Sequence, residues 1–362
     1  GLEAVKAQLM EAPKPIREPF RFLSLGEVLS DPRPVDWLVR DYIEAETLAM
    51  IFGAPGTMKT FVSLDLGLSI ASGRDWHGHE TAPAPVLFVA GEGFAGLRKR
   101  IKAWTSHNAV EEIPFFVADR PAQFLDPDSL SEVEAAIESV TKEYSKPRLV
   151  IIDTLNRNFG PGDENATADM TRFIAALDRI RTKYKCVVLI IHHSGLAEKD
   201  RSRGSSALRA ALDFEYRLDV QDEVRTLTST KAKDHEPQPP IHFNPVTVET
   251  GWTDPETGEK VYSCILEVTD PPPAKKSRLT GATRIAFESL VECINERSTD
   301  KGTIDLDRTK IHLDAWREKS GQNGLSASTK KDSIDKAFRR AVGNLLDKDL
   351  IATKDHFYWI KQ

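Results

Sequence analysis

The chain has 362 residues, of which 40% are hydrophobic and 29% charged, and a net charge of -6. That length exceeds what one compact core holds and predicts two domains. The longest apolar runs, such as Cys186–Ile191, are too short to span a bilayer, and the acidic balance argues against a surface coated throughout with cations for nucleic acid, leaving a local basic patch or a channel open.

In chain order, residues 1–34 read as a Pro-rich, charged arm or linker with a short helix at Leu2–Met10. The chain opens on Gly1 rather than Met, with no signal or transit segment, as expected of a processed chain or one cut from a longer protein. A core over 35–270 then alternates apolar strands with amphipathic helices. Strands are predicted at 46–53, 85–90, 113–117, 148–153 and 186–193, and helices at 60–73, 94–107, 130–144 and 169–184. A long polar loop is expected from Thr154 to Thr167. This alternation predicts an α/β fold, a parallel sheet covered on both faces. Residues 214–270 are rich in Val, Thr and Ile and carry a turn signal at 254–258, so they are expected to be antiparallel strands closing the sheet's edge. Residues 271–280, with three prolines, read as a linker.

Residues 281–362 hold three helical patterns, at 281–296, 310–319 and 326–345, followed by a hairpin at 350–352 and 358–360. Three helices and a hairpin resemble a small winged-helix-like domain. Its third helix carries Lys330, Lys331, Lys336, Arg339 and Arg340, the composition of a DNA-contacting face, though a solvated lysine-rich face or a protein contact has the same look. Three separated cysteines, Cys186, Cys264 and Cys293, form no C-x-x-C pair; neither a zinc site nor a disulfide framework is expected, and a reducing cytoplasm fits.

The segment Gly53-Ala54-Pro55-Gly56-Thr57-Met58-Lys59-Thr60, with Phe61 after it, lies between a predicted strand and a predicted helix. There, glycines let backbone N–H groups turn toward phosphates and the helix offers its positive end to the anion. Lys59 is expected to reach the β- and γ-phosphates of ATP, and the Thr60 hydroxyl to ligate Mg²⁺. Met58 stands where such loops usually carry glycine. Asp153 ends the strand Arg148–Asp153 and is expected to hold the water shell of Mg²⁺. Glu92, inside Gly91-Glu92-Gly93, is placed to polarise an attacking water, or is a solvated turn residue. His192 and His193 end the next strand; His193 is read as a γ-phosphate sensor, against one histidine buried and the other exposed. A metal pair is disfavoured because adjacent strand residues face opposite ways.

Taken together, the loop at 53–60, Ala90-Gly91-Glu92-Gly93, Ile151-Ile152-Asp153-Thr154-Leu155, Gly162-Asp163-Glu164-Asn165, His192-His193-Ser194-Gly195 and Arg203-Gly204-Ser205-Ser206 resemble the RepA-like AAA_25 family, relatives of RecA- and DnaB-type hexameric replicative helicases of phages and plasmids. The entry segment Val35–Val39 also resembles the family's, and the likeness covers roughly residues 35–235. It implies a RecA-like P-loop NTPase core and a homo-hexameric ring with ATP between subunits. Lys59, Thr60, Glu92 and Asp153 would act in cis. Lys231 and Lys233 occupy the place of the family's trans-acting Lys-x-Arg pair. Loops at 156–165 and 195–205, the second carrying Lys199, Arg201 and Arg203, would contact single-stranded DNA. The expected function is an ATP-hydrolysing helicase of a mobile element, with a primase or initiator protein as a further partner and no membrane. The competing expectation is an ATP-dependent initiator, loader or regulatory ATPase that does not unwind.

Overall fold

The computed structural model describes residues 21–30, 34–91, 93–195, 205–273, 279–298, 310–328 and 330–361. The expected helix at Leu2–Met10, Glu92 and the Lys199, Arg201 and Arg203 loop lie outside them. The chain divides into two compact units, with the boundary between Pro272 and Pro273.

The first unit begins with a short helix, α1 (Leu25–Leu29), capped by Ser24 and Glu27, and a small hairpin, β1 (Trp37–Val39) and β2 (Ile43–Glu44). Its central sheet then forms from β3 (Leu48–Gly53), β4 (Val86–Ala90), β5 (Phe115–Val117), β6 (Leu149–Asp153), β7 (Val187–His193), β8 (Phe214–Gln221), β9 (Val224–Ala232), β10 (Ile241–Thr253) and β11 (Lys260–Val268). Nine strands run in the order β11-β10-β9-β8-β3-β7-β6-β4-β5. The six from β8 to β5 pair in parallel, and β9, β10 and β11 extend the sheet antiparallel. The expected antiparallel edge is therefore present, except that β8 joins β3 in parallel.

Why these strands are central is plain from their residues. Every residue of β3 and β6 is buried, so each strand is apolar on both faces. Helices α2 (Lys59–Ser72) and α3 (Phe94–His107) cover one face, packing on Ile51, Ile151, Leu189 and Phe214. Helices α4 (Pro127–Glu143) and α6 (Thr167–Tyr184) cover the other, packing on Met50, Ile152 and Ile190. Helix α4 starts three residues before the predicted position because Asp126 caps it and Pro127 supplies the first turn. The polar stretch after β6 also folds more than expected, giving α5 (Leu155–Asn158). A further helix, α7 (Ser206–Ala211), precedes β8.

One buried carboxylate ties the first face together. Asp65 of α2 accepts from Trp76 Nε1 at 2.9 Å and Trp104 Nε1 at 2.8 Å, and pairs with His77 Nε2 at 2.7 Å. Trp104 belongs to α3, so the contact locks the two helices in register.

The second unit comprises α8 (Gly281–Ser298), β12 (Ile311–His312), α9 (Leu313–Gln322), α10 (Lys331–Asp347), β13 (Ile351–Lys354) and β14 (Phe357–Ile360). Its strands form an antiparallel sheet in the order β12-β14-β13. The core gathers around Trp316, whose indole donates to the Ala286 carbonyl at 2.7 Å and meets Phe338 edge-on. Strand β12 was not legible in the sequence, because two residues show no alternation. No helix among the described residues is long and apolar enough to cross a membrane.

Asp65→Ala would leave two buried indole N–H groups without an acceptor. A loss of about 3 kcal/mol or more is expected, read as a lower urea midpoint with altered tryptophan emission; an unchanged midpoint would remove Asp65 from this role.

Candidate active site

The site sits where four parallel strands end together. Gly53 lies opposite His193 in the β3–β7 register, Asp153 opposite Ile191 in β6–β7, and Ala90 opposite Asp153 in β4–β6. The carboxyl edge of such a sheet is where ligands bind, because helix N-termini converge on it.

Two glycines make the convergence possible. A Cβ on Gly53 would stand 2.3 Å from the Leu218 carbonyl oxygen of β8. One on Gly91 would stand 2.4 Å from Arg157 Cβ, and the Gly91 N–H donates to the Asp153 carbonyl at 2.6 Å. The turn that carries Glu92 is thus held against the end of β6, although Glu92 itself lies outside the described residues.

The loop from Gly53 to Thr60 has the form an anion cradle requires. Gly56 and Met58 both adopt the left-handed conformation, at φ 79° and 72°, and α2 begins directly after Met58. Met58 takes the backbone shape a glycine would supply, at a cost of about 1 kcal/mol; it packs its side chain against the core cluster beneath α2 and α3. Thr57 Oγ1 donates to the Ala54 carbonyl at 2.9 Å and braces the turn.

Lys59 is buried, and its Nζ donates to the carbonyls of Gly53 and Ala54, each at 2.9 Å. Burial pushes its ammonium down to about 8, while the nearby charge of Asp153 works in the opposite direction. Asp153 is itself buried, and Thr60 is partly so. A buried cation held by two carbonyls and facing a carboxylate is suited to meet a polyphosphate, whose oxygens would replace those carbonyls. Alternation along β7 puts His193 on the α2 side of the sheet with Ile191, and buried His192 on the α6 side with Ile190.

Other expected residues lie elsewhere in the fold. Lys231 Nζ donates to the carbonyls of Arg209 at 2.9 Å, Ala210 at 3.3 Å and Leu212 at 2.5 Å, capping the C-terminal end of α7. Lys233 pairs with Asp213 at 3.4 Å. Both lysines are engaged within their own chain. Phe159, the aromatic of the 156–165 loop, is buried against Phe173 and presents no stacking face. That loop is ordered by buried Asn158, which accepts from Ala122 N at 2.9 Å and donates to the Thr154 carbonyl at 3.0 Å. In the second unit, Lys330, Lys331, Lys336, Arg339 and Arg340 are all exposed and none makes an ion pair among the described residues.

Two substitutions test this geometry. Met58→Val places a β-branched residue at positive φ and should lower stability by about 1–2 kcal/mol more than Met58→Gly in urea denaturation. For Lys59, the folded pKa near 8 lies below the unfolded 10.5. Between those values the unfolded chain binds more protons, so wild-type stability climbs with pH through that window. The melting-temperature difference between wild type and Lys59→Met should therefore shift toward the wild type from pH 8 to 10.5; a flat difference would show Lys59 titrating normally.

The comparison with known families agrees with this geometry. The model of the AAA domain AAA_25 matches residues 13–199, a stretch holding the phosphate loop, the Gly91–Gly93 turn and Asp153. With an α/β core built on a mostly parallel sheet and the phosphate loop at its carboxyl edge, the chain belongs to the AAA_25 family of AAA domains, whose ATPase type carries nucleotide binding and hydrolysis.

Proposed function

We propose that the chain is a DNA-stimulated ATPase that assembles as a hexameric ring and moves along single-stranded DNA as the replicative helicase of a phage, plasmid or other mobile element. The observation that carries the reading is the presence, in one chain, of a phosphate-loop edge and a separate unit whose helix α10, with its N-cap, exposes Lys330, Lys331, Lys336, Arg339 and Arg340, none in an ion pair among the described residues.

In this reading ATP supplies the phosphoanhydride, and a bound Mg²⁺ would supply the positive charge that offsets the phosphates. The loop 53–60 holds the phosphates through its backbone N–H groups, and Lys59 exchanges the Gly53 and Ala54 carbonyls for phosphate oxygens. The Thr60 hydroxyl and Asp153 are the residues that would hold the metal. Glu92 accepts a proton from the attacking water, and His193, on the α2 side of β7, senses the γ-phosphate. The element order of the second unit, α8, β12, α9, α10, β13 and β14, supports a winged-helix-like reading, in which α10 would meet DNA phosphates.

One observation favours the second reading, an initiator or loader that hydrolyses slowly. Lys231 and Lys233 bond within their own chain, and neither has the guanidinium fork that meets a neighbour's γ-phosphate in bidentate fashion. Strand displacement separates the two readings.

The helicase reading expects ATP turnover by the assembled ring to rise at least about tenfold on adding oligothymidylate, a drop in ΔG‡ of about 1.4 kcal/mol. Glu92→Gln and Lys59→Ala should abolish both turnover and strand displacement. Stimulated turnover without displacement would select the loader; a rate indifferent to DNA would leave the ATPase and remove its nucleic-acid role.

A further inference from the structure

Helix α3 carries Arg98, Lys99, Arg100 and Lys102 within five residues. At 100° per residue, Arg98, Lys99 and Lys102 fall on one arc of about 100°, away from buried Leu97 and Trp104. Arg98 and Lys99 are exposed and Lys102 is half-buried. Neither these three nor Arg100 makes an ion pair with a carboxylate among the described residues. In a chain of net charge -6, four cations within five residues, none closed into an ion pair among the described residues, concentrate positive charge on this face, with Asp254 of the β10–β11 turn the carboxylate that feels Lys99.

Aromatic rings flank it. The Arg98 guanidinium lies 5.7 Å from the ring centre of Trp252 on β10, and Phe94, one turn earlier on α3, is 47% exposed. The neighbouring β10–β11 turn carries Asp254, held ionised mainly by the backbone N–H groups of Thr257 and Glu256, with Lys99 a smaller influence.

We infer that the outer face of α3 is a binding surface for single-stranded nucleic acid, with Arg98, Lys99 and Lys102 meeting phosphates and Phe94 and Trp252 offering stacking faces. Cations beside the exposed ring of Phe94 and the half-buried ring of Trp252 suit a flexible strand with unstacked bases; a duplex backbone has no use for the rings. The inference rests on the proposed DNA-directed function and adds to it residues other than those already read as DNA-contacting on α10 and in the 195–205 loop.

The test is fluorescence anisotropy of labelled oligothymidylate across a salt series. It compares wild type, Lys99→Ala/Lys102→Ala, Lys99→Arg/Lys102→Arg, and the α10 control Lys336→Ala/Arg339→Ala. Lys99 and Lys102 stack on no ring among the described residues, so their removal should leave the melting temperature unchanged, which is checked in parallel. The alanine pair is expected to weaken binding roughly tenfold at low salt and to flatten the log–log salt slope by about 1.4, two contacts at about 0.7 each. The arginine pair should retain affinity, and the α10 control should leave the α3 decrement in place. Wild-type affinity and slope in the alanine pair would overturn this inference alone. Absence of binding by the wild type would overturn it together with the nucleic-acid reading. Unchanged oligonucleotide affinity with a smaller assembly by light scattering would also overturn it, assigning the face to an acidic protein surface.

Discussion

Everything at the sheet's carboxyl edge depends on how α2 is held, and Asp65 is what holds it. Its two oxygens serve two indoles and an imidazole, from the segment just after α2 and from α3. A buried carboxylate without partners would be costly; three donors make it a fixed point in the core instead. Since α2 starts at Lys59 and α3 starts directly after the Gly91–Gly93 turn, the same contact sets the phosphate loop and the turn carrying Glu92 on helices locked to each other.

The loop then reaches its shape by two unequal means. Gly56 adopts positive φ at little cost, whereas Met58 does so against its own Cβ. Glycine at 58 would relieve that strain but forfeit the packing Met58 makes beneath α2 and α3. The departure from the usual glycine is therefore a matter of balance between backbone and core, not a loss of the cradle. Lys59 shows the same balance in charge: burial lowers its proton affinity, and two carbonyls with Asp153 nearby keep the ammonium tolerable.

Much of this was legible in the residues, for definite reasons. β3 and β6 are buried on both faces and so read as unbroken apolar runs, and the strand–loop–helix order puts Lys59, Thr60 and Asp153 at the sheet's carboxyl edge. What escaped was short or depended on distant partners. α5, α7 and β12 are four, six and two residues long, below the length at which periodicity speaks. The role of Lys231 was hidden for the same reason: it caps α7, a helix whose existence the sequence did not announce. Phe159 falls in the stretch read as a polar loop, and its partner, Phe173, is fourteen residues away on α6, beyond the reach of local pattern.

The cations of the chain divide by what they touch. Those at Arg179, Lys183, Arg209 and Arg148 face carboxylates and spend their charge on holding helices and strands together. Those on α3 make no ion pair among the described residues, yet α3 is tied to α2 twice, through Trp104 on Asp65 and through Arg100, 4.6 Å from the ring centre of Phe61. Phe61 follows Thr60 directly. Under the proposal that α3 binds a strand, a pull on its outer face would be transmitted through these two contacts to the first turn of the helix that carries Lys59, and nucleotide binding at that turn would act back on α3. By linkage, the two effects are equal in free energy. Coupling of this kind needs no long pathway: one cation on one ring and one carboxylate between two indoles connect the charged face to the phosphate loop.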